Sequence, residues 1–305
     1  MGRTFAWIGL GRIVEHHLAA LAEAPELGAP VAGCDVDAAA RKRFDGRLTT
    51  YPALEEMLDQ VAPDVLVVAT PTPTHAEVCR RVFVHGGART VLVEKPLAIS
   101  IVDVEELLDA AVAAGVELRC LYHAAHGPEV EWALANLADE LRGATSIESE
   151  FIDAYGADDS ATYGNSWLDS GINALSIVDR LVQIEGGRVH QLPDPESTFV
   201  GLFDALGTSG GLRVRISTSW HGIDPTKVTR VDLCDGGIVI LNHQAMLVRF
   251  SRKDGPAQIW ASSGALPRLT QHYVAALRHE LRGESVEARD RLLHTLLLGP
   301  GGSRL

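Results

Sequence analysis

Basic side chains are scarce in this sequence: 27 Lys and Arg stand against 40 Asp and Glu, a formal net charge of −13. Nucleic acid and anionic membranes both call for a basic face, so neither is expected as a partner. A small molecule remains open, as does a cofactor whose phosphates are held by backbone amides. Long apolar runs are lacking too: no stretch reaches the length of about 18 residues that a membrane span needs. The hydrophobic fraction of 46% and charged fraction of 22% are those of a soluble globular chain. Cys34, Cys79, Cys120 and Cys234 lie far apart without a CxxC pair. Neither a zinc site nor a disulfide framework is suggested, buried thiols are expected, and no metal is predicted. Also missing are a Walker sequence, an HExxH pair, a nucleophile elbow, an internal repeat and a low-complexity segment. The opening "MGRTFAWIGLG" has no signal-peptide cleavage site, so a cytoplasmic location is expected.

What is present is organised in two parts. A chain of 305 residues can bury two cores. Up to Tyr122, short β-rich runs (Thr4 to Ile8, Val31 to Cys34, Val65 to Ala69, Thr90 to Val93, Val116 to Leu121) alternate with helical patterns. The helical stretches are Ile13 to Ala24, Asp37 to Phe44, Ala53 to Gln60, Thr74 to His85 and Ile101 to Ala114. Such alternation predicts βαβ units, a doubly wound parallel sheet of the Rossmann type, over residues 1–122. From residue 123 to 305 the pattern is α+β with a predominantly antiparallel open sheet. It has helices near Glu129 to Leu137 and Gly171 to Leu181, an alternating run "SIESEFIDAY", and further strands from Thr198 to Phe250. Turn signals such as "CDGG" and "KDGP" separate these strands, and a Gly/Pro-rich "GPGG" tail is expected to fray.

Three stretches carry chemistry. In "WIGLGRIVEHHLAAL", Gly9 and Gly11 follow the first strand and open a helix, so that backbone can approach a pyrophosphate next to Arg12 and Ile13 at the helix N-terminus. Val14 replaces the third glycine of the dinucleotide fingerprint. Asp35 ends the second strand, where an acid bonds the ribose hydroxyls and repels a 2′-phosphate, which favours NAD over NADP. Capping of the next helix is the plainer role for an Asp here, and Asp37 is the better cap. "VLVVATPTPTHAEV" turns through Thr70 and Pro71 towards His75, and its prolines make a stiff wall. "VLVEKPLA" ends a buried strand with Glu94, Lys95 and Pro96, at the sheet edge where α/β proteins bind ligands. His16 and His17 adjoin on the first helix, point in different directions, and read as surface and packing residues.

Together the glycine turn, the ATPxxxH turn and the strand-end EKP resemble the glucose-fructose oxidoreductase/inositol dehydrogenase (Gfo/Idh/MocA) family over the whole chain. "WLDSGINALSIVDRL" is similar to that family's DxGxH helix, with Asn173 at the histidine place, and is most like the aldose 1-dehydrogenases. The resemblance implies that Lys95 lies between nicotinamide and substrate, and that Asp169, Asn173 and Asp153 face the sugar. His123 and Trp220 are further pocket candidates, weighed evenly against plain packing. It also implies an NAD(P)-dependent sugar oxidoreductase that takes an aldose at C1 to a lactone. A keto-sugar reductase or polyol dehydrogenase of the same family, and a non-catalytic sensor, stay open. The family's habit of associating through the second domain's sheet implies a homodimer or homotetramer.

Overall fold

A computed structural model of the chain describes residues 2–154, 165–191, 198–205, 212–282 and 287–299. The chain forms two compact units, Met1–Leu121 with Ala276–His294, and Tyr122–Ala275 with Thr295–Leu305. The first unit therefore takes in C-terminal residues that a single cut after residue 122 leaves in the second. Its buried polar groups show why. The Arg119 guanidinium, 4% exposed, lies 3.5 Å from the Glu280 carboxylate, and the Cys120 amide donates to Asp290 Oδ2 at 3.3 Å. Unpaired, such groups would be costly to bury.

The first unit contains a six-stranded sheet, β3-β2-β1-β4-β5-β6, parallel throughout. Its strands are β1 (Thr4–Ile8), β2 (Ala29–Cys34), β3 (Thr49–Tyr51), β4 (Val65–Val68), β5 (Thr90–Glu94) and β6 (Glu117–Leu121). They alternate with α1 (Ile13–Glu23), α2 (Ala38–Lys42), α3 (Leu54–Gln60), α4 (His75–His85) and α5 (Ile101–Ala114). Every residue of β4 and β5 is buried, as expected of central strands covered on both faces. The edge strand β3 has no counterpart in the sequence reading, because "TTY" is too short and polar to show periodicity. The chain reverses its direction of travel across the sheet between β1 and β4, and a ligand crevice opens at that switch point.

The second unit is built on an eight-stranded sheet in the order β14-β13-β12-β11-β7-β10-β9-β8. Only β7 with β10 is a parallel pair, and the other neighbours are antiparallel. The strands are β7 (Ala144–Ala154), β8 (Ile184–Gln191), β9 (Phe199–Ala205), β10 (Arg213–Ser219), β11 (His221–Leu233), β12 (Ile238–Asn242), β13 (Leu247–Ser251) and β14 (Gln258–Ala261). Helices α6 (Pro128–Asn136), α7 (Ala138–Arg142) and α8 (Ile172–Val182) belong to this unit. Along β7, Ile147, Ser149, Phe151 and Asp153 are buried while Glu148 and Glu150 are exposed, so one face is covered and the other open. Trp167 anchors the covered side, stacking on Phe203 at 6.2 Å and donating its indole N–H to Leu297 O at 3.0 Å.

β8, β14, α9 (Arg268–Glu280) and α10 (Glu287–Leu298) have no counterpart among the elements expected from the sequence. The "IEGGRVHQ" of β8 carries two glycines that blunt a strand signal; a Cβ at Gly187 would run into the Phe203 ring, so the packing itself demands glycine there. Cys34, Cys79 and Cys120 are buried as expected, whereas Cys234 is exposed in the turn after β11, a correction to the expectation of buried thiols. The "GPGG" tail beyond Gly299 and Tyr155 of the alternating run fall outside the described residues. Among the described residues no helix is long and apolar enough to cross a membrane.

Candidate active site

The glycine turn is built as a cradle. Gly9 has φ +86°, its amide donates to Cys34 O at 2.9 Å, and a Cβ on it would lie 2.7 Å from Ala69 O at the end of β4. A side chain at this place would thus clash with backbone as well as strain its own. Around Gly11 the nearest atom to a Cβ would be 4.0 Å away, so that side of the turn is open. Arg12, exposed, is the N-cap of α1 and makes no side-chain capping bond to the helix beginning at Ile13. A pyrophosphate fits a helix N-terminus of this kind, where the dipole and the outward N–H groups favour an anion. Val14, in place of the third glycine, is fully buried.

Asp35 is half-buried and its carboxylate is engaged by backbone. Its Oδ2 accepts the Leu10 amide at 2.7 Å and its Oδ1 the Asp37 amide at 2.8 Å. The carboxylate latches the glycine turn to the end of β2, and each oxygen keeps a lone pair for a hydroxyl. Asp37 caps α2 by accepting from Ala39 N at 2.9 Å, the helix-capping role read from sequence. The residues present fit a dinucleotide: an open turn, a helix N-terminus without a side-chain cap and a fixed carboxylate.

At the other side of the switch point, three buried histidines surround the strand end that presents Lys95. The His17 Nε2 lies 2.8 Å from Glu94 Oε1, and the Trp7 indole donates to His17 Nδ1 at 3.1 Å. His75 places Nε2 at 2.8 Å from Thr70 O and Nδ1 at 2.9 Å from Pro96 O, tying the β4 turn to the residue after Lys95. Burial pushes its pKa down, against the opposing pull of those carbonyls. His294 accepts the Leu97 amide on Nε2 at 2.8 Å and donates from Nδ1 to Asp290 O at 2.8 Å. Fully buried, it has its pKa lowered to about 4 by desolvation. Lys95 itself is partly exposed. Thr70 is half-buried and Pro71 exposed, with the Thr74 hydroxyl donating to Pro71 O at 2.7 Å.

In the second unit, Asp153 is 7% exposed and both its oxygens are engaged: Oδ1 lies 2.8 Å from Lys227 Nζ, and Oδ2 accepts the Ser170 hydroxyl at 2.7 Å. Asp169 sits in a π-helical turn, Trp167–Gly171, that runs into α8; such turns recur at functional sites. Asn173 donates Nδ2 to the Asp169 carbonyl at 3.2 Å, so its tie is to the backbone of Asp169, and its Oδ1 has no partner among the described residues. His123 packs 5.0 Å from the Tyr273 ring, and Trp220 is 5% exposed. Of His221 only the backbone is described.

Sequence reasoning missed Lys227, His294 and the buried chain Glu129–His243–Thr229–Ser149, linked at 2.8, 2.9 and 2.8 Å. A signal for Lys227 exists: it shares the inward period of Thr229, Val231 and Leu233 along β11, where a lysine needs a buried acid. His17 likewise falls on the stripe of Val14, Leu18 and Leu21. His294 had no such signal.

Residues 3–122 match the model of an oxidoreductase family with an NAD-binding Rossmann fold, GFO_IDH_MocA. Over this stretch the chain is similar to the NAD-binding domain of that oxidoreductase family. The rhizopine catabolism protein MocA of Rhizobium meliloti is 26% identical over 174 residues, 54% of this chain; the matched stretch spans about half of that relative, 53%. Among solved structures, an inositol dehydrogenase homolog from Azotobacter vinelandii complexed with NAD+ is similar at a TM-score of 0.78 and 19% identity, covering 97% of this chain and 90% of that one. A levoglucosan dehydrogenase complexed with NADH and levoglucosan is similar at a TM-score of 0.82 and 14% identity, covering 99% and 97%. At these identities the structures show a shared fold.

Proposed function

We propose that the protein is an NAD-dependent dehydrogenase of a sugar or polyol, oxidising an aldose at C1 to a lactone. The observation that carries this reading is the strand-end Lys95, held by its neighbours at the edge of an NAD-binding sheet. NAD supplies the hydride acceptor; the chain supplies everything else. Gly9, Gly11, Arg12 and Ile13 would hold the pyrophosphate and Asp35 the ribose. Thr70, Pro71, His75 and Glu94 would wall the nicotinamide end. Lys95 would donate to the reacting hydroxyl oxygen and stabilise charge developing there.

An alcohol is too weak an acid to ionise at neutral pH, so a base must take its proton. Asp169 or Asp153 would do that work, and the Asp153 carboxylate, fixed by Lys227 and Ser170, is also placed to orient the ring. Asn173, with an unused Oδ1, would accept from a sugar hydroxyl, and His123 and Trp220 would complete the pocket wall. Names of similar proteins agree with the substrate class, since one is an inositol dehydrogenase homolog and another acts on levoglucosan. Residues 1–122 would serve the cofactor and most of the remainder the substrate, in a cytoplasmic homodimer or homotetramer.

Purified protein should reduce NAD in the presence of an aldose, read by absorbance at the NADH band, and should prefer NAD to NADP. Turnover only with polyols would move the substrate to that class. Turnover only from a keto-sugar with NADH would reverse the direction. Binding of sugar with no turnover in either direction would make the protein a sensor.

A further inference from the structure

We propose that His17 is a positioning residue for the Glu94–Lys95 strand end, held in one tautomer by Trp7. This inference rests on the dehydrogenase reading of Lys95. An indole N–H is a donor only, so the bond from Trp7 Nε1 at 3.1 Å makes His17 Nδ1 the acceptor. The ring proton then sits on Nε2, which donates to Glu94 Oε1 at 2.8 Å. Trp7, His17 and Glu94 are 0%, 2% and 8% exposed, so water cannot stand in for either bond.

The three residues join the elements that deliver the site. Trp7 lies in β1 two residues before Gly9, His17 one turn into α1, and Glu94 ends β5 immediately before Lys95. The link fixes the register of the glycine-turn helix against the strand that presents the lysine. It also gives the buried Glu94 carboxylate a hydrogen-bond donor next to the Lys95 backbone. A rotated imidazole would set a lone pair against Glu94 and an N–H against the indole, losing both bonds at once. His17 touches no substrate in this scheme; it acts through Glu94.

The test combines tautomer and kinetics. Long-range proton–nitrogen spectra of histidine-labelled protein, with the His17 signal identified by its loss in His17→Gln, should show the proton on Nε2; a proton on Nδ1 would overturn the proposal. His17→Phe fills the space without either bond and should lower kcat by about 10–100-fold, with the sugar KM and the NAD dissociation constant little changed. His17→Gln keeps one acceptor and one donor and should recover most of that loss. Equal loss in both variants, with native circular dichroism, would assign His17 to packing alone. An equally active His17→Phe would also overturn the proposal. Absence of turnover in the parent would instead count against the dehydrogenase reading, leaving the spectra to decide the tautomer.

Discussion

Lys95 is a long, flexible side chain made specific by what brackets it. Glu94 is bonded by His17, Pro96 O faces His75, and the Leu97 amide is held by His294. Removing the ammonium should therefore slow chemistry and leave the scaffold standing. Lys95→Ala is expected to lower kcat by about 10²–10³ while NAD binding, measured by calorimetry, persists. Lys95→Arg should restore only part, because the guanidinium is larger and planar. A second residue-scale expectation concerns acid. His294 has its pKa lowered from 6.5 to about 4 by complete burial, so the unfolded chain binds its proton first as pH falls. Above pH 6.5 the group is neutral in both states and its full stabilising contribution is present. Between pH 6.5 and about 4 that contribution drains away at roughly 1.4 kcal/mol per unit, about 3 kcal/mol in all. The pH slope of urea midpoints in this window should be steeper for the parent than for His294→Gln.

At the scale of the element, the turn from β1 to α1 shows how little freedom the site has. Gly9 combines a positive φ with a backbone carbonyl 2.7 Å from where a Cβ would stand, so Gly9→Ala must push β1 from β4 or flatten the turn. Its expected effect is a weakened NAD affinity of at least tenfold, with a loss of stability of about 1–2 kcal/mol. Calorimetric titration with NAD and thermal unfolding check the two separately. Gly11, with open space around it, should tolerate alanine in folding better than in NAD binding. The helix N-termini, strand ends and capping Asp37 were legible from residue types alone, because local rules govern them. β3 and β8 were not, because three polar residues and a double glycine carry no period.

At the scale of the whole molecule, the open face of the eight-stranded sheet invites a partner. In register across it run Arg215, Glu148, Arg230, Ile240, Arg249 and Ile259, an acid between two arginines followed by an arginine between two isoleucines. Ile259 is 67% exposed. Such a face suits a second copy of the chain better than open water, in keeping with the proposed homo-oligomer. Light scattering should give at least twice the mass of the 305-residue chain, and Ile240→Glu should halve it. A parent that is monomeric at micromolar concentration would remove this face from consideration.

The sequence by itself determined the βαβ order, the place of the glycine turn, the strand-end lysine and the antiparallel character of the second half, since each follows from local pattern. Tertiary structure alone decided which distant groups complete them. Nothing local says that His294 takes the Leu97 amide, that Lys227 pairs Asp153, or that Asp290 and Glu280 serve β6. Those contacts join residues up to 197 positions apart. Their selection comes from the need to satisfy every buried donor and acceptor at once, a condition on the folded chain as a whole.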